Sequence, residues 1–241
     1  MADRTPVALV TDIHGTAGPA ICLALAAAGF ALLVNGQSDD IFPLQSMNPS
    51  SQILAMPFDV TDERAIESVL RSGVEAMGGL DVLVNNAYFW NDAALDNITE
   101  DMWEEVIHRG LKGTFYCCRA VSKVMKAQEY GKIINIVGTS AITGVYTQYA
   151  AACAGIHSLT RSLCRELAPH VRVNTIAAGL IDEPWIDDGG PELRELLTKS
   201  VLLKRLCHNE DVSEAVSYLA CGADFMTGQM IVLDGGESLG G

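Results

Sequence analysis

The chain has 241 residues, 49% hydrophobic and 19% charged with 22 glycines, a composition that is ordinary for a globular protein and excludes a disordered or fibrous one. Its formal net charge of −14 repels phosphate backbones and anionic lipid, so we expect no nucleic-acid partner and no membrane partner. The apolar run at 21–34 is interrupted by Gly29 and too short to span a bilayer, and no basic segment precedes a cleavable apolar one, which predicts a cytoplasmic protein.

Apolar strand patterns and helical patterns alternate along the chain. The pattern predicts strands at 7–10, 30–34, 53–58, 80–85, 132–137, 172–176 and 230–233, and helices at 20–28, 63–77, 99–128, 149–167 and 209–220. Units of this size indicate an α/β fold with a doubly wound parallel sheet, right-handed crossovers and a ligand crevice at the carboxyl ends of the strands. No linker, repeat or low-complexity segment breaks the series, so we expect one domain over residues 1–241.

The cysteines do not indicate a metal site or a disulfide framework. There are 7 of them, an odd number, and no two are spaced as a CxxC pair. We expect most of them to be small buried apolar side chains.

Several segments together carry a resemblance to a known family: FDVTD at 58–62, DVLVNNA at 81–87, KGTF at 112–115, GKIINI at 131–136, VRVN at 171–174, and TGQ with VLDGG at 227–236. In order and spacing they resemble the short-chain dehydrogenase/reductase family over nearly the whole chain. The resemblance implies a Rossmann-type fold and hydride transfer between NAD(P) and an alcohol or carbonyl. It also implies a catalytic tyrosine, a lysine four residues later that lowers the pKa of the phenol, a carbonyl-polarising serine and a supporting asparagine.

The first loop departs from the family's Thr-Gly-x-x-x-Gly-x-Gly pattern. Residues 11–18 match it at Thr11 and keep only the third glycine, Gly18, and both are predicted cofactor contacts. Asp12 replaces the first glycine. Its carboxylate either opposes a pyrophosphate or caps the following helix.

The resemblance gives the next cofactor contacts, although several are open to a second interpretation. After the second strand, residues 35–38 carry neither the acid typical of NAD binding nor the base typical of NADP binding. Asp59 and Val60 match the adenine contact, and Asp59 is equally consistent with a strand-end cap. Asn85 and Ala87 match the next motif, and both are predicted cofactor contacts.

Tyr88 stands where the family motif continues with glycine. Its ring either packs under a loop or joins an aromatic cluster at the nicotinamide end of the site. A lone histidine near the crevice, His14, is more typical of a structural hydrogen bond than of catalysis.

Of the catalytic set, only Tyr149 is clearly matched. Cys153 stands at the lysine position, Gly110 at the asparagine position and Gly138 at the serine position. Without a neighbouring ammonium, we expect Tyr149 to be a hydrogen-bond donor but a poor base, and we expect Cys153 to be buried and inert.

A serine two residues beyond Gly138 is the predicted substitute for the missing catalytic hydroxyl. We select Ser140, with Thr139 as the alternative. The same hydroxyl is equally consistent with a turn cap.

These departures predict that NAD(P) is absent or weakly bound and that no metal is held. The expected function is a redox-neutral or weakly active use of the family pocket around Tyr149. Alternatives are an active NAD(P)-dependent alcohol or carbonyl oxidoreductase, a lyase like the halohydrin dehalogenases, and a non-catalytic binding homologue. The expected ligand is a small molecule in a cleft lined by Tyr146, Tyr149 and Trp185, where the acids of 182–188 disfavour an anion.

The resemblance also implies a homodimer or homotetramer. In the family, helices that correspond to 99–128 and 149–167 pair across a two-fold axis. Their apolar positions are more than one helix face needs, and they include Phe115, Cys118, Val121, Ile156 and Leu163.

Overall fold

Parallel strands at the centre of the molecule form a single sheet. The computed structural model describes residues 4–14, 17–86, 90 and 93–240, so Ala87 and Tyr88 lie outside the described residues. Within that part of the chain, the strands are β1 Val7–Val10, β2 Ala31–Val34, β3 Ile53–Ala55, β4 Val82–Asn85, β5 Gly131–Gly138, β6 Val171–Ala178 and β7 Met230–Leu233. Their order in the sheet is β3-β2-β1-β4-β5-β6-β7, and every pair is parallel.

Helices cover both faces of this sheet. They are α1 Gly18–Ala27, α2 Ser38–Met47, α3 Glu63–Met77, α4 Glu100–Val106, α5 Gly113–Ala127, α6 Ser140–Thr143, α7 Thr147–Leu167, α8 Pro184–Asp188, α9 Gly190–Ser200 and α10 Asn209–Cys221. A π-helical turn at Ile107–Lys112 joins α4 to α5, and a 3-10 turn at Glu237–Leu239 follows β7.

Alternate residues of each central strand enter two separate cores. On β1, Ala8 and Val10 pack with α1, α2 and α10, whereas Val7 and Leu9 pack with α3 and α5. Such two-sided burial explains why the central strands read as continuous apolar runs. The predicted α/β class with a Rossmann-type doubly wound sheet is confirmed.

The strand order reverses between β1 and β4. The chain winds outward from β1 to β3, returns to β4 on the other side of β1, and then continues to β7. Loops that leave the carboxyl ends of β1 and β4 therefore diverge and leave a crevice between them, which is the usual ligand position in open α/β sheets.

Several predicted boundaries are wrong for physical reasons. The predicted helix at 99–128 is interrupted by the π-helical turn, which contains Gly110. Helices α2, α6, α8 and α9 were not predicted, and α2 contains Pro43, a residue that disfavours a helix interior. The strand predicted at 53–58 ends at Ala55, because β3 has only one neighbour in the sheet and the chain leaves it early.

The apolar positions predicted for an oligomer interface divide into two groups. Cys118, Val121 and Ile156 are at most 1% exposed and belong to the core of the chain itself. Phe115 and Leu163 are partly exposed. The expected surplus of apolar positions therefore shrinks to this second group. In the part of the chain that the structure describes, no helix is long and apolar enough to cross a membrane.

Candidate active site

The loop after β1 reaches the crevice with a backbone path suited to glycine, although it has lost that glycine. Asp12 has a φ of 51°, in the left-handed region that glycine favours and that aspartate tolerates better than most residues. A β-carbon on Gly18 would overlap the carbonyl oxygen of Ile13, so this glycine is required for the close approach of α1 to the loop. Helix α1 begins after Ala17, whose side chain provides no cap, and the capping interpretation of Asp12 stays a prediction.

Thr11 joins the ends of β1 and β4. Its hydroxyl accepts a hydrogen bond from the backbone N–H of Asn86 at 3.0 Å and donates to the carbonyl of Val84 at 3.4 Å. The side chain is 1% exposed. Thr11 therefore fixes the two edges of the crevice relative to each other, and its predicted cofactor contact stays a prediction.

Asn35, at the end of β2, ties three loops together. Its side-chain oxygen accepts from the backbone N–H of Asp12 at 3.1 Å, and its side-chain nitrogen donates to the carbonyls of Met56 at 3.1 Å and Phe58 at 2.9 Å. All of these partners are backbone groups. The side chain at this position therefore holds the loops, and it carries no information on the choice between NAD and NADP.

Asp59 folds its carboxylate back onto its own loop. One oxygen accepts from both the backbone N–H and the hydroxyl of Thr61, each at 2.8 Å. These hydrogen bonds lower the pKa of Asp59, with Arg109 and His108 adding a smaller effect. Asp59 therefore caps its own turn, which lies beyond the end of β3 at Ala55, and its predicted adenine contact stays a prediction. Val60 is buried against Gly113, where a β-carbon would lie 3.1 Å from its Cγ2.

Asn85 belongs to a buried polar chain that crosses the sheet. Its side-chain nitrogen donates to Asn135 Oδ1 at 2.8 Å, and Asn135 donates in turn to the Thr160 hydroxyl at 2.9 Å. Thr175 on β6 completes the chain with a 2.9 Å hydrogen bond to Thr160. The four side chains together link β4, β5, β6 and α7. The role of Asn85 as a cofactor contact stays a prediction.

His14, on the loop after β1, contacts helix α2. Its Nε2 is 3.2 Å from Asp40 Oδ2 on α2, and the ring is mostly exposed. This contact agrees with the structural interpretation of the lone histidine.

Tyr149 lies against the backbone at the position of the missing serine. A β-carbon on Gly138 would lie 2.7 Å from the Tyr149 hydroxyl and 2.8 Å from its ring carbon Cε1. The glycine therefore makes room for the tyrosine, and the hydroxyl occupies space that a side chain at position 138 would need.

Cys153 lies one helical turn after Tyr149 on α7 and is 0% exposed. Burial raises the pKa of its thiol to about 11, and hydrogen bonds with the Gly138 backbone and the Tyr149 side chain only partly oppose this effect. The thiol is therefore neutral at physiological pH, which agrees with the expectation that it is inert.

A cavity of about 550 Å³ opens above the ends of β4, β5 and β6. Ser140, which begins α6, and Thr139 both line it together with Tyr149, so the predicted site residues on this side are brought together. Its volume is in the range of sites that bury a small organic molecule.

Aromatic rings form one wall of this cavity, as predicted for Tyr146, Tyr149 and Trp185. Trp90 joins them: it stacks on Trp185 with ring centroids 6.2 Å apart and meets Tyr146 edge-on at 5.8 Å. Glu237, from the turn after β7, also lines the cavity. Sequence reasoning missed Glu237 because no motif indicates that the last turn returns to the site.

Known reductases match this chain along most of its length. A sequence profile described as Enoyl-(Acyl carrier protein) reductase matches residues 15–238. The 3-oxoacyl-(acyl-carrier-protein) reductase of Thermotoga maritima is 31% identical over 95% of this chain and 96% of its own length. The reductase of the same name from Staphylococcus aureus is 33% identical, covering 96% of this chain and 98% of its own.

A solved structure corrects the expectation about the cofactor. NAD+-bound xylitol dehydrogenase matches this fold with a TM-score of 0.89 at 25% identity, covering 98% of this chain and 100% of that one. The expectation that NAD(P) is absent or weakly bound is therefore wrong. It assumed that each lost glycine changes the loop, whereas Asp12 keeps the left-handed backbone that a glycine would supply. In sequence and in fold, the chain belongs to the short-chain dehydrogenase/reductase family of oxidoreductases.

Proposed function

We propose that the chain is an NAD(P)-dependent oxidoreductase that interconverts an alcohol and a carbonyl compound in the aromatic cavity. The observation that carries this proposal is the position of Tyr149, whose hydroxyl lies beside Gly138 at the end of β5 and whose side chain lines the cavity. A phenol in this position reaches the oxygen of a bound substrate as a proton donor or acceptor.

The loops of β1 to β3 fit a dinucleotide. Gly18 allows the close approach of α1 to the first loop, and Gly36 has no room for a side chain, because a β-carbon there would lie 2.5 Å from Ile13 Cγ2. Residues 11–18, Gly36, Asp59 and Val60 would hold the cofactor. When bound, its nicotinamide ring would supply or accept the hydride.

The chain's own residues would manage the proton. Tyr149 would give its proton to the carbonyl oxygen, and Ser140 or Thr139, which line the same cavity, would orient that oxygen. The Cys153 thiol, whose pKa is raised to about 11 by burial, carries no positive charge to favour the ionised phenol. We therefore propose slow turnover in comparison with relatives that keep the lysine.

The test combines nucleotide binding with turnover. NADH and NADPH are titrated by fluorescence, and nucleotide consumption is then followed with a panel of ketones. The Tyr149→Phe variant should lose about 100-fold or more in turnover while its thermal unfolding temperature and nucleotide affinity stay near wild type, because only a hydroxyl is removed.

Tyr218→Phe is the matched control, because the Tyr218 side chain is 55% exposed and lies outside the cavity. Turnover that survives in Tyr149→Phe would contradict the assigned proton donor. Failure of both nucleotides to bind would contradict the oxidoreductase proposal itself.

We further propose that the chain forms a closed homodimer or homotetramer through α5 and α7. The partly exposed apolar side chains Phe115 and Leu163 support this surface. Light scattering at micromolar concentration should give a multiple of the protomer mass, and a monomer mass would contradict the proposal.

A further inference from the structure

The charge on the cavity wall has one sign. Among the lining residues that the structure describes, Glu183 and Glu237 are the ionisable carboxylic acids, and no lysine, arginine or histidine accompanies them. A ligand enters this cavity from a protein surface that is itself acidic, with a formal net charge of −14. The electrostatic potential of the site therefore favours a cation over an anion.

Each of the two glutamates accepts a hydrogen bond that positions its carboxyl group. Trp185 Nε1 donates to Glu183 Oε2 at 2.8 Å, and the backbone N–H of Leu180 donates to Glu237 Oε2 at 3.0 Å. Burial raises the pKa of each carboxyl group, and nearby Asp234 contributes to the shift at Glu237. A cation inside the cavity would restore the stabilisation of charge that these groups lose by leaving water.

The arginines near the cavity are engaged elsewhere. Arg194 donates to Asp182 at 2.7 Å and to Asp187 at 2.8 Å, while Arg205 pairs with Asp211. Neither arginine lines the cavity. Their charges are therefore neutralised outside the site, and the described wall keeps its negative sign.

The aromatic wall suits the same kind of ligand. The faces and edges of Trp90, Tyr146 and Trp185 meet in one cluster, and the face of an indole or phenol ring attracts a cation. Tyr146 has a φ of 66°, a strained backbone conformation for a residue with a large side chain. Such strain persists only where the surrounding structure imposes it, and here it accompanies a ring that faces the cavity.

From these observations we infer that the substrate carries an alkylammonium group close to its carbonyl or carbinol carbon. This inference rests on the proposed function for the reaction, and it adds the chemical class of the substrate. The aromatic rings and the two glutamates would hold the ammonium group, and the remaining apolar wall would hold the carbon skeleton. Acyl groups on phosphate-bearing carriers fit the described wall poorly, because no described cation there would meet the phosphate.

The test measures binding without any nucleotide. The chain has 3 tryptophans, and two of them, Trp90 and Trp185, line the cavity, so a Trp103→Phe background makes fluorescence report on this site. The probes are 2-phenylethylamine, 2-phenylethanol and phenylacetate, which share a ring and differ in charge. The amine should bind about tenfold more tightly than the alcohol, and phenylacetate should bind most weakly.

Charge-only variants complete the test. Glu183→Gln and Glu237→Gln keep an acceptor for Trp185 and Leu180, and each should reduce the preference for the amine about threefold or more. Glu192→Gln, on the exposed face of α9, is the matched control and should leave the preference unchanged. Equal affinity for amine and alcohol, or a preference that survives both cavity variants, would overturn the inference. The binding experiment contains no nucleotide, so its outcome does not depend on whether the protein transfers hydride. If the protein reduces only neutral ketones, the inferred substrate class is wrong but the oxidoreductase proposal is not contradicted.

Discussion

Departures from the family motifs have different consequences in the two halves of the crevice. In the nucleotide half, formed by the loops after β1, β2 and β3, Asp12 replaces a glycine and still takes a φ of 51°. In the chemistry half, formed by the end of β5 and the start of α7, Gly138 and Cys153 have removed functional groups altogether. The nucleotide half keeps its backbone path although its side chains differ, whereas the chemistry half keeps Tyr149 but lacks the serine and lysine side chains of the family.

The difference follows from what each half uses for its task. A dinucleotide loop depends mainly on backbone path, and backbone hydrogen bonds restore that path when a side chain changes. Asn35 is the main example, because it fixes the loops of β1 and β3 through three backbone groups. Proton transfer depends on specific side-chain atoms, and no backbone rearrangement replaces a lysine ammonium.

The largest expected effect comes from breaking the scaffold of the nucleotide half. Asn35→Asp removes the donor for the carbonyls of Met56 and Phe58 and places a carboxylate oxygen against them. We expect a loss of about 3 kcal/mol in the free energy of unfolding, the range for buried groups left unsatisfied. Urea unfolding measures it. Although an acid here imitates the acidic position typical of NAD binding, we expect no gain in preference for NADH.

Asn97→Asp is the control for that measurement, since Asn97 lies in an exposed turn. A wild-type unfolding midpoint for Asn35→Asp would show that the loops are held by other contacts. The hydrogen bonds of Asn35 would then not explain why the loop after β1 keeps its backbone path.

A smaller effect is expected in the chemistry half, at the residue that replaced the lysine. Cys153→Ala removes one buried sulfur atom, so the free energy of unfolding should fall by about 1 kcal/mol. Turnover should change less than twofold, because a thiol with its pKa raised to about 11 is neutral at pH 7. Cys153→Ala should therefore lower stability and spare turnover, whereas Tyr149→Phe should lower turnover and spare stability.

Cys221→Ala, at an exposed cysteine, provides the stability control. A loss of turnover greater than tenfold in Cys153→Ala would mean that the thiol takes part in the chemistry. Cys153 would then be a catalytic residue and not only a packing residue.

Sequence reasoning found the fold because the signals were local and repeated. The strands Val7–Val10 and Met230–Leu233 and the helix Glu63–Met77 were predicted at their observed bounds. It located Tyr149 because this residue falls on a family position, and it placed Trp185 at the cleft because the corresponding segment normally covers the site in the family.

The sequence did not reveal the conformational role of individual residues. The left-handed backbone of Asp12, the clamp at Asn35 and the return of Glu237 to the cavity all depend on contacts between distant segments. The forecast for NAD(P) failed for this reason, since it converted each replaced glycine into a loss without knowledge of the backbone path.

The smallest expected effect separates charge from shape at Asp12. Asparagine tolerates the left-handed region at least as well as aspartate, so Asp12→Asn should leave the path of the loop backbone unchanged. It removes one negative charge beside the predicted position of a pyrophosphate, so the affinity for NADH or NADPH should rise about threefold to tenfold at low salt. The gain should shrink as salt is added, because Asp12 is only partly buried and salt screens such a charge. Asp96→Asn changes the net charge equally in an exposed turn distant in sequence. If both variants improve affinity by the same factor, the charge of Asp12 acts only through the overall field of the protein. The replacement of the glycine by Asp12 would then have no local effect on nucleotide binding.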